Sequence, residues 1–462
     1  MRNRHVPFAI LLGASCLPGA VSAAELTDVI DAADVNDPYD ANVEIEYGRS
    51  LRRAKITREF SCDPAATPDT CPDALPGVGK SVNAKELRFQ RVTHVLTPRL
   101  RLSIWHDLEL RVELPVVLDD ASEVRFAGNG GSLSGVAVTE EISTVAPGPR
   151  TEIVNGEQQT VDPLNVFDVP SKLPSRSGFG DMAVALRWSP YSQERDDARG
   201  TWTVELDYRL PTGEVMRAGN QGVGRGVHAL TIGTALSRRL RWVEPYAGLD
   251  ATFSFPSASS LFKDYHFAQE RIGPGIVAGF KTGMEIIPFE HPPRSLKLYV
   301  DVGLGAQYHA EGRDYGELFD AFASGGQPCD PGAAALPELG PNQACFNPDS
   351  KSELAGQPFD GLGTVEQYVT VVGHVGLGFY TSRFFKLGTT LSLAHDTEHF
   401  LSSADVGEDL DASGTVESRL DNNYDANEQN PTYVKAVDAV GHRLRLEETT
   451  TFTAAFQAAF IF

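Results

Sequence analysis

From Leu296 to His309 the chain alternates without a break between two kinds of residue. Leu296, Leu298, Val300, Val302, Leu304, Ala306 and Tyr308 fall on one side; Lys297, Tyr299, Asp301, Gly303, Gly305, Gln307 and His309 fall on the other. Thr201 to Leu210 repeats the pattern, with Trp202, Val204, Leu206, Tyr208 and Leu210 set against Thr201, Thr203, Glu205, Asp207 and Arg209. Period two is the signature of an extended strand whose faces meet different solvents, because successive side chains point to opposite sides. A helix would scatter the same charges around its circumference. An apolar face over about ten residues beside a charged face is what a strand between lipid and water requires.

Read this way, the chain contains twelve candidate strands: 42–58, 86–103, 108–118, 179–189, 200–211, 226–237, 243–256, 273–288, 295–310, 365–380, 386–400 and 442–462. The first is the weakest, because its alternation falters at Gly48 and Arg49, where a bulge or a strand end is expected. Long and short connections alternate, which places tight turns at one end and large loops at the other. Trp105, Trp188, Trp202 and Trp242, with Phe289, Phe384 and Phe385, all fall at or beside the short turns. Amphipathic rings gather at a membrane interface, so this distribution reads as an aromatic girdle at the tight-turn end. The expected fold is all-β: an antiparallel transmembrane β-barrel of about twelve strands, with short periplasmic turns and long extracellular loops. An even strand count puts both termini on the periplasmic side.

The first residues read as an export signal. A basic start at Arg2, Arg4 and His5 precedes an apolar stretch and a small-residue site at Val21-Ser22-Ala23 or Ser22-Ala23-Ala24. Residues 1–23 are therefore a signal peptide, 24–41 an acidic leader and 42–462 the barrel. Gly13 stands where a lipoprotein signal ending at Cys16 would carry a bulky aliphatic residue. Beyond the N-terminus no apolar run approaches the ~18 residues of a membrane-spanning helix. The formal charge of −22, without a basic cluster, excludes nucleic acid as a partner. The partners this reading implies are outer-membrane lipid, the barrel-insertion machinery, small solutes, and periplasmic or surface proteins on the leader and loops. The location is the outer membrane of a Gram-negative-type bacterium.

A lipid-facing apolar side leaves the charged side inward. The lumen-facing candidates are Arg111, Glu113, Asp181, Arg187, Glu205, Asp207, Arg209, Asp250, Lys281, Glu285, Asp301, Arg443, Arg445 and Glu447. Both signs are present, so pairing across the lumen is expected, either filling a narrow barrel or lining a water path. In the leader, Asp28, Asp31, Asp34, Asp37 and Asp40 recur at every third position. The leader is a flexible acidic tail or a segment that lines the lumen or docks a basic partner. His395-Asp396-Thr397-Glu398-His399 is the densest ionisable cluster and reads as a polar rim where its strand leaves the membrane. Thr397 and the lack of a Ser partner argue against a hydrolase, and no cofactor, metal or catalytic residue is assigned. The acidic stretch 401–441 has no EF-hand ligand pattern and reads as a solvated loop.

Residues 178–191, GFGDMAVALRWSPY, and 201–214, TWTVELDYRLPTGE, form a further pattern. A Gly-Phe-Gly-Asp opening leads into a strand, a short turn, and a strand ending in Leu210-Pro211-Thr212-Gly213. Together with Leu114-Pro115 upstream, this resembles the outer-membrane transporter family associated with the MetA pathway of phenol degradation. The likeness spans about 86–256, with Gly178, Gly180 and Asp181 as its opening. The terminal alternation Phe452, Phe456, Phe460, Phe462 is similar to the signal that insertion machinery reads. The resemblance implies a porin-like channel or transporter for small or hydrophobic solutes. The other reading is a non-conducting structural barrel that anchors an envelope or cell-surface assembly.

Without the signal, four cysteines remain: Cys62, Cys71, Cys329 and Cys345. An even number in an exported chain points to disulfides, and the local pairing Cys62–Cys71 and Cys329–Cys345 closes two short loops among three possible pairings. Non-reducing peptide mapping is expected to find all four oxidised; free thiol at Cys62 or Cys329 would refute the pairing.

Overall fold

The structure is a computed structural model. It describes residues 26–30, 40–62, 80–128, 171–193, 198–217, 220–262, 273–291, 294–322, 361–410 and 432–462, with shorter pieces of the loops between them. Twelve antiparallel strands form a closed barrel. They are β1 (Ala41–Cys62), β2 (Lys80–Trp105), β3 in two stretches (Leu108–Glu113 and Val116–Phe126) and β4 in two stretches (Arg176–Phe179 and Ala183–Tyr191). There follow β5 (Thr201–Arg209), β6 (Val227–Ser237), β7 (Val243–Pro256) and β8 (Val277–His291). The last four are β9 (Leu296–His309), β10 (Tyr368–Ser382), β11 (Phe385–Asp396) and β12 (Leu444–Ile461). Each strand pairs with the next in sequence, and β12 returns to β1 with Asn42 opposite Ile461. Closure leaves the wall without an unpaired edge, which the bilayer core demands because it offers no water to backbone groups.

The outward residues are apolar. Val302, Leu304, Leu249, Leu393, Phe456 and Phe460 are all exposed, and all belong to the alternating outer set. Trp105, Trp188, Trp202 and Trp242 are exposed at the short-turn end, in company with Phe289 and Phe384. On the inside, Arg101, Glu109, Arg111, Arg187 and Asp301 are each at most 2% exposed. Greasy outside and ionic inside is the inverse of a soluble core. This is a β-barrel of the outer membrane.

Three differences from the sequence-based expectation have physical causes. The alternation of β1 does not break at Gly48 and Arg49, which pair in register with Val95 and His94. What changes is the solvent on each side. Above the membrane the inner face becomes apolar, with Ala54, Ile56, Leu87, Phe89, Val124, Leu444 and Leu446 packed against Phe167, Leu318, Phe322, Leu401 and Val437 from the loops. The outer face there carries Lys55 and Lys85, both paired with Glu448. The strands thus project beyond the bilayer and enclose a second, conventional core. For the same reason β3 runs to Phe126 rather than ending at 118.

The described part of 401–441 is packed at its ends, with Leu401, Ala404, Val437 and Asp438 buried, whereas Val406, Leu410 and 412–414 are exposed. Two short helices, α1 (Phe319–Phe322) and α2 (Lys435–Asp438), contribute to the loop core. Residues 1–23, where a signal peptide is expected, Cys71, Cys329 and most of the acidic run 411–431 lie outside the described residues, so the expected disulfides do too.

Within α2, the Asp438 carboxylate accepts the Val434 N–H at 2.7 Å. Burial pushes its pKa from 3.8 up to about 6, against the pull of the Val434 and Ala404 amides. A folded value above the ordinary one means that the fold prefers the protonated form. This group's contribution is therefore greatest below pH 3.8 and declines as pH rises to about 6. Proteolysis of the extracellular loops, measured relative to Asp438→Asn, is expected to be slower at pH 5 than at pH 7.5. A constant ratio would show that Asp438 is not the titrating group.

Candidate functional site: an ionic lumen closed at both ends

The lower lumen is a chain of ion pairs between neighbouring strands. Arg99 reaches Glu113 at 2.6 Å and Glu44 at 3.0 Å. Arg111 contacts Glu205 at 2.6 Å, Glu113 at 3.1 Å and Asp207 at 3.4 Å, and Arg187 contacts Glu205 at 2.8 Å. Further round, Lys281 meets Asp250 at 3.0 Å, Lys297 meets Glu285 at 3.3 Å, and His374 Nε2 lies 2.8 Å from Asp301. Tyr246 also donates to Asp301 at 3.2 Å. Gly303 makes room for this group: a Cβ there would sit 2.4 Å from both the Tyr246 hydroxyl and the His374 ring. Buried charges are costly in an interior unless paired, and each of the cations named here lies across from a carboxylate one or two strands away.

The inward candidates thus gather in this network or on the cavity above it, with one group placed elsewhere. Glu448 takes a positive φ of 50°, and the ladder to β1 shifts between Arg53 and Lys55. The slip hands the inner face to Leu444 and Leu446 and turns Arg445 to the other side, against Glu398 and Glu447. Arg443 likewise sits in the loop region, paired with Glu59 at 2.7 Å.

At the periplasmic end residues 26–30 of the leader enter the lumen. Arg187 donates to the carbonyls of Asp28 and Leu26, both at 2.8 Å. Thr203 donates to the Thr27 carbonyl at 2.9 Å, and Ile30 N donates to Glu109 at 3.1 Å. The Thr27 and Ser237 hydroxyls are 2.7 Å apart. Residues 26–30 therefore lie inside the lumen along one side of the wall, hydrogen-bonded to β3, β4, β5 and β6. Sequence reasoning offered this placement among several, and nothing in the spacing of the aspartates marked it. Asp31, Asp34 and Asp37 lie outside the described residues.

The extracellular end is closed by the segment that carries α1. Glu317 pairs with Arg52 of β1 at 2.7 Å, Asp320 pairs with Arg176, and Asp314 pairs with Arg225. Tyr315 donates to the Met216 carbonyl at 3.1 Å. Beneath this roof is a cavity of about 170 Å³, bordered by Asp207, Arg209, Arg225, Asp250, His309 and Tyr368, with Tyr315 and Glu317 above. Three rings stack on one wall: His309 on Tyr368 at 4.2 Å and Tyr368 on His399 at 3.9 Å.

The ionisable cluster 395–399 is divided by the strand. His395 faces outward and is exposed, while Asp396 and His399 are buried. Asp396 is engaged by Arg52 at 2.8 Å and by the Thr370 hydroxyl at 2.8 Å.

The Gly-Phe-Gly-Asp and Leu-Pro-Thr-Gly sequences and Leu114-Pro115 converge on one spot. Gly180 N donates to Pro115 O at 2.8 Å across the break shared by β3 and β4. Asp181 accepts the amides of Gly213 at 3.0 Å and Arg225 at 3.1 Å, and Met182 N donates to the Thr212 hydroxyl at 2.8 Å. A Cβ on Gly213 would lie 2.9 Å from Phe179 O. These residues act on the wall, stitching a discontinuity beside the cavity.

No family model and no curated protein matches the chain. Among solved structures, an outer membrane channel from Pseudomonas putida F1 is similar at 11% identity, over 90% of this chain and 95% of that one, with a TM-score of 0.37. A Pseudomonas aeruginosa FadL homologue is similar at 8% identity over 92% and 90% of the two chains, with a TM-score of 0.30. The deltaS2 mutant of the TodX monoaromatic hydrocarbon channel is similar at 9% identity over 96% and 93%, with a TM-score of 0.29. At such scores these likenesses carry no argument about this chain.

The leader's position is directly testable. In a background lacking the native cysteines, Thr27→Cys with Ser237→Cys is expected to form a disulfide, since their hydroxyls already lie 2.7 Å apart. Absence of the cross-link in the folded barrel would place the leader elsewhere.

Proposed function

We propose that the barrel is an outer-membrane transporter for small amphiphilic solutes, with the acidic leader at 24–41 and the α1 segment as its two closures. The observation that supports this most is the lined interior cavity beneath the α1 segment, with a second segment outside the wall, residues 26–30, lodged in the lumen. Leader and roof are each held by hydrogen bonds and ion pairs, so either can leave without opening the strand ladder. A structural anchor has no use for a lined interior space.

The cavity's 170 Å³ is comparable to the about 150 Å³ that holds a benzene-sized molecule. Its stacked rings suit an apolar body, and Arg209, Arg225, Asp207 and Asp250 suit a polar or charged substituent. The inward residues named above are the groups we assign to the solute path. We read the barrel as a conduit rather than a hydrolase, because Asp396 is committed to Arg52 and the two histidines of its cluster face opposite ways.

Conductance in a planar bilayer tests the reading. The full-length barrel is expected to be nearly silent. Removal of residues 24–40 combined with Asp314→Asn, Glu317→Gln and Asp320→Asn is expected to give discrete steps. The roof variant that keeps its leader, with or without the Thr27→Cys/Ser237→Cys lock, should remain silent. Silence of the doubly opened barrel, shown to be folded by its heat-modifiable gel mobility, would transfer the argument to the anchor.

A further inference from the structure

A second cleft lies on the barrel's outer side at the periplasmic rim, away from the lumen cavity. It has a volume of about 770 Å³ and opens between the turn that joins β4 to β5 and the turn that joins β6 to β7. Its apolar part is formed by Trp202, Leu236 and Pro245. Tyr191 stacks on Trp202 with ring centroids 5.9 Å apart and 24° between planes. The indole N–H is already donated to Thr234 at 2.8 Å, so Trp202 offers the cleft its faces alone.

The cleft is preformed. Gln193 bridges the two turns in both directions, donating to Arg239 O at 3.0 Å and accepting Arg239 N at 2.7 Å. Arg199 sits 5.2 Å from the centroid of Tyr191 and pairs with the exposed Asp196 at 3.1 Å. Among the described residues that line the cleft, the charged ones are Arg199 and Arg238, both basic, in a chain whose net charge is −22.

Depth decides what occupies such a place. The cleft lies in the aromatic girdle, level with lipid headgroups, with apolar surface toward the bilayer and arginines toward the periplasm. We propose that it is a binding site for one anionic phospholipid of the inner leaflet. The phosphodiester would lie between Arg199 and Arg238, and an acyl chain along Trp202, Leu236 and Pro245. Guanidinium groups recognise phosphate through paired N–H donors, which a zwitterionic headgroup also offers a target for. The ammonium of phosphatidylethanolamine cancels its phosphodiester charge, whereas phosphatidylglycerol keeps a net negative charge, and two arginines at a membrane surface reward that charge.

Native mass spectrometry of the detergent-purified full-length barrel, titrated with phosphatidylglycerol or phosphatidylethanolamine, tests this. One phosphatidylglycerol is expected to be retained after phosphatidylethanolamine has been stripped. Each of Arg199→Gln and Arg238→Gln should lower that retention by about five-fold, from the usual worth of one basic residue near an anionic surface. Arg238→Lys should keep most of it, and Trp202→Ala should weaken both lipids alike. Equal retention of the two lipids, or an unchanged phosphatidylglycerol adduct in the folded double Gln variant, would overturn the proposal. The lumen and its closures are not touched by these changes, so the outcome is independent of the conductance result.

Discussion

The pairing of β12 with β1 is the constraint from which the rest follows. In a bilayer, every strand hydrogen bond left unmade costs several kcal/mol, so the ladder must close on itself. Closure with a lipid-facing outer surface assigns each even or odd position along a strand to one of two solvents. It also traps the other set of side chains in a confined space. Arg101, Arg111 and Arg187 are held there with almost no exposure. They are tolerable because Glu109 and Glu205 reach Arg101 and Arg187 from adjacent strands, and Arg111 lies between Glu113 of its own strand and Glu205.

That trapping explains why the leader belongs inside. Arg187 has a carboxylate partner in Glu205, yet a guanidinium carries five donors and one carboxylate cannot use them all. The carbonyls of Leu26 and Asp28 take two more. Charge-assisted bonds of this kind are worth roughly 1.5–3 kcal/mol each, enough to order a short segment whose entropy cost is about 1–2 kcal/mol per residue. The leader completes the ionic interior as much as it blocks it.

The sequence was most readable where one rule governed. Between lipid and water, period two located all twelve strands and their outward aromatics. It was least readable where the solvents changed places. Ala54 and Ile56 continue the parity of Glu44 and Glu46 but invert its chemistry, because above the membrane the inner face meets loop residues such as Leu318 and Phe322. Arg445 was misplaced for a related reason: a bulge at Glu448 is a local slip that no periodicity records. Long-range partners left no trace at all. Leu26 and Arg187 are 161 residues apart, and neither carries a signal for the other. The Gly-Phe-Gly-Asp and Leu-Pro-Thr-Gly sequences were visible as patterns, but only their convergence on Asp181 shows that they repair the wall.

The two closures differ in kind, and the difference has consequences for how each would open. The leader is gripped largely through its backbone carbonyls by Arg187, Arg101 and Thr203, with the Thr27 hydroxyl on Ser237 as a side-chain contact. The roof is held by side-chain carboxylates, Asp314, Glu317 and Asp320, facing three arginines of the wall. Side-chain ion pairs near a mouth are screened by salt, whereas hydrogen bonds deep in the lumen are not. Asp314 and Arg225 are the most open of the roof pairs, at 35% and 15% side-chain exposure. Ionic strength outside the cell therefore bears on the roof first, at that pair, while the leader answers to whatever competes for Arg187 from within. Under the proposed transport role, two unlike latches would let a solute enter at one end without a continuous water path to the other.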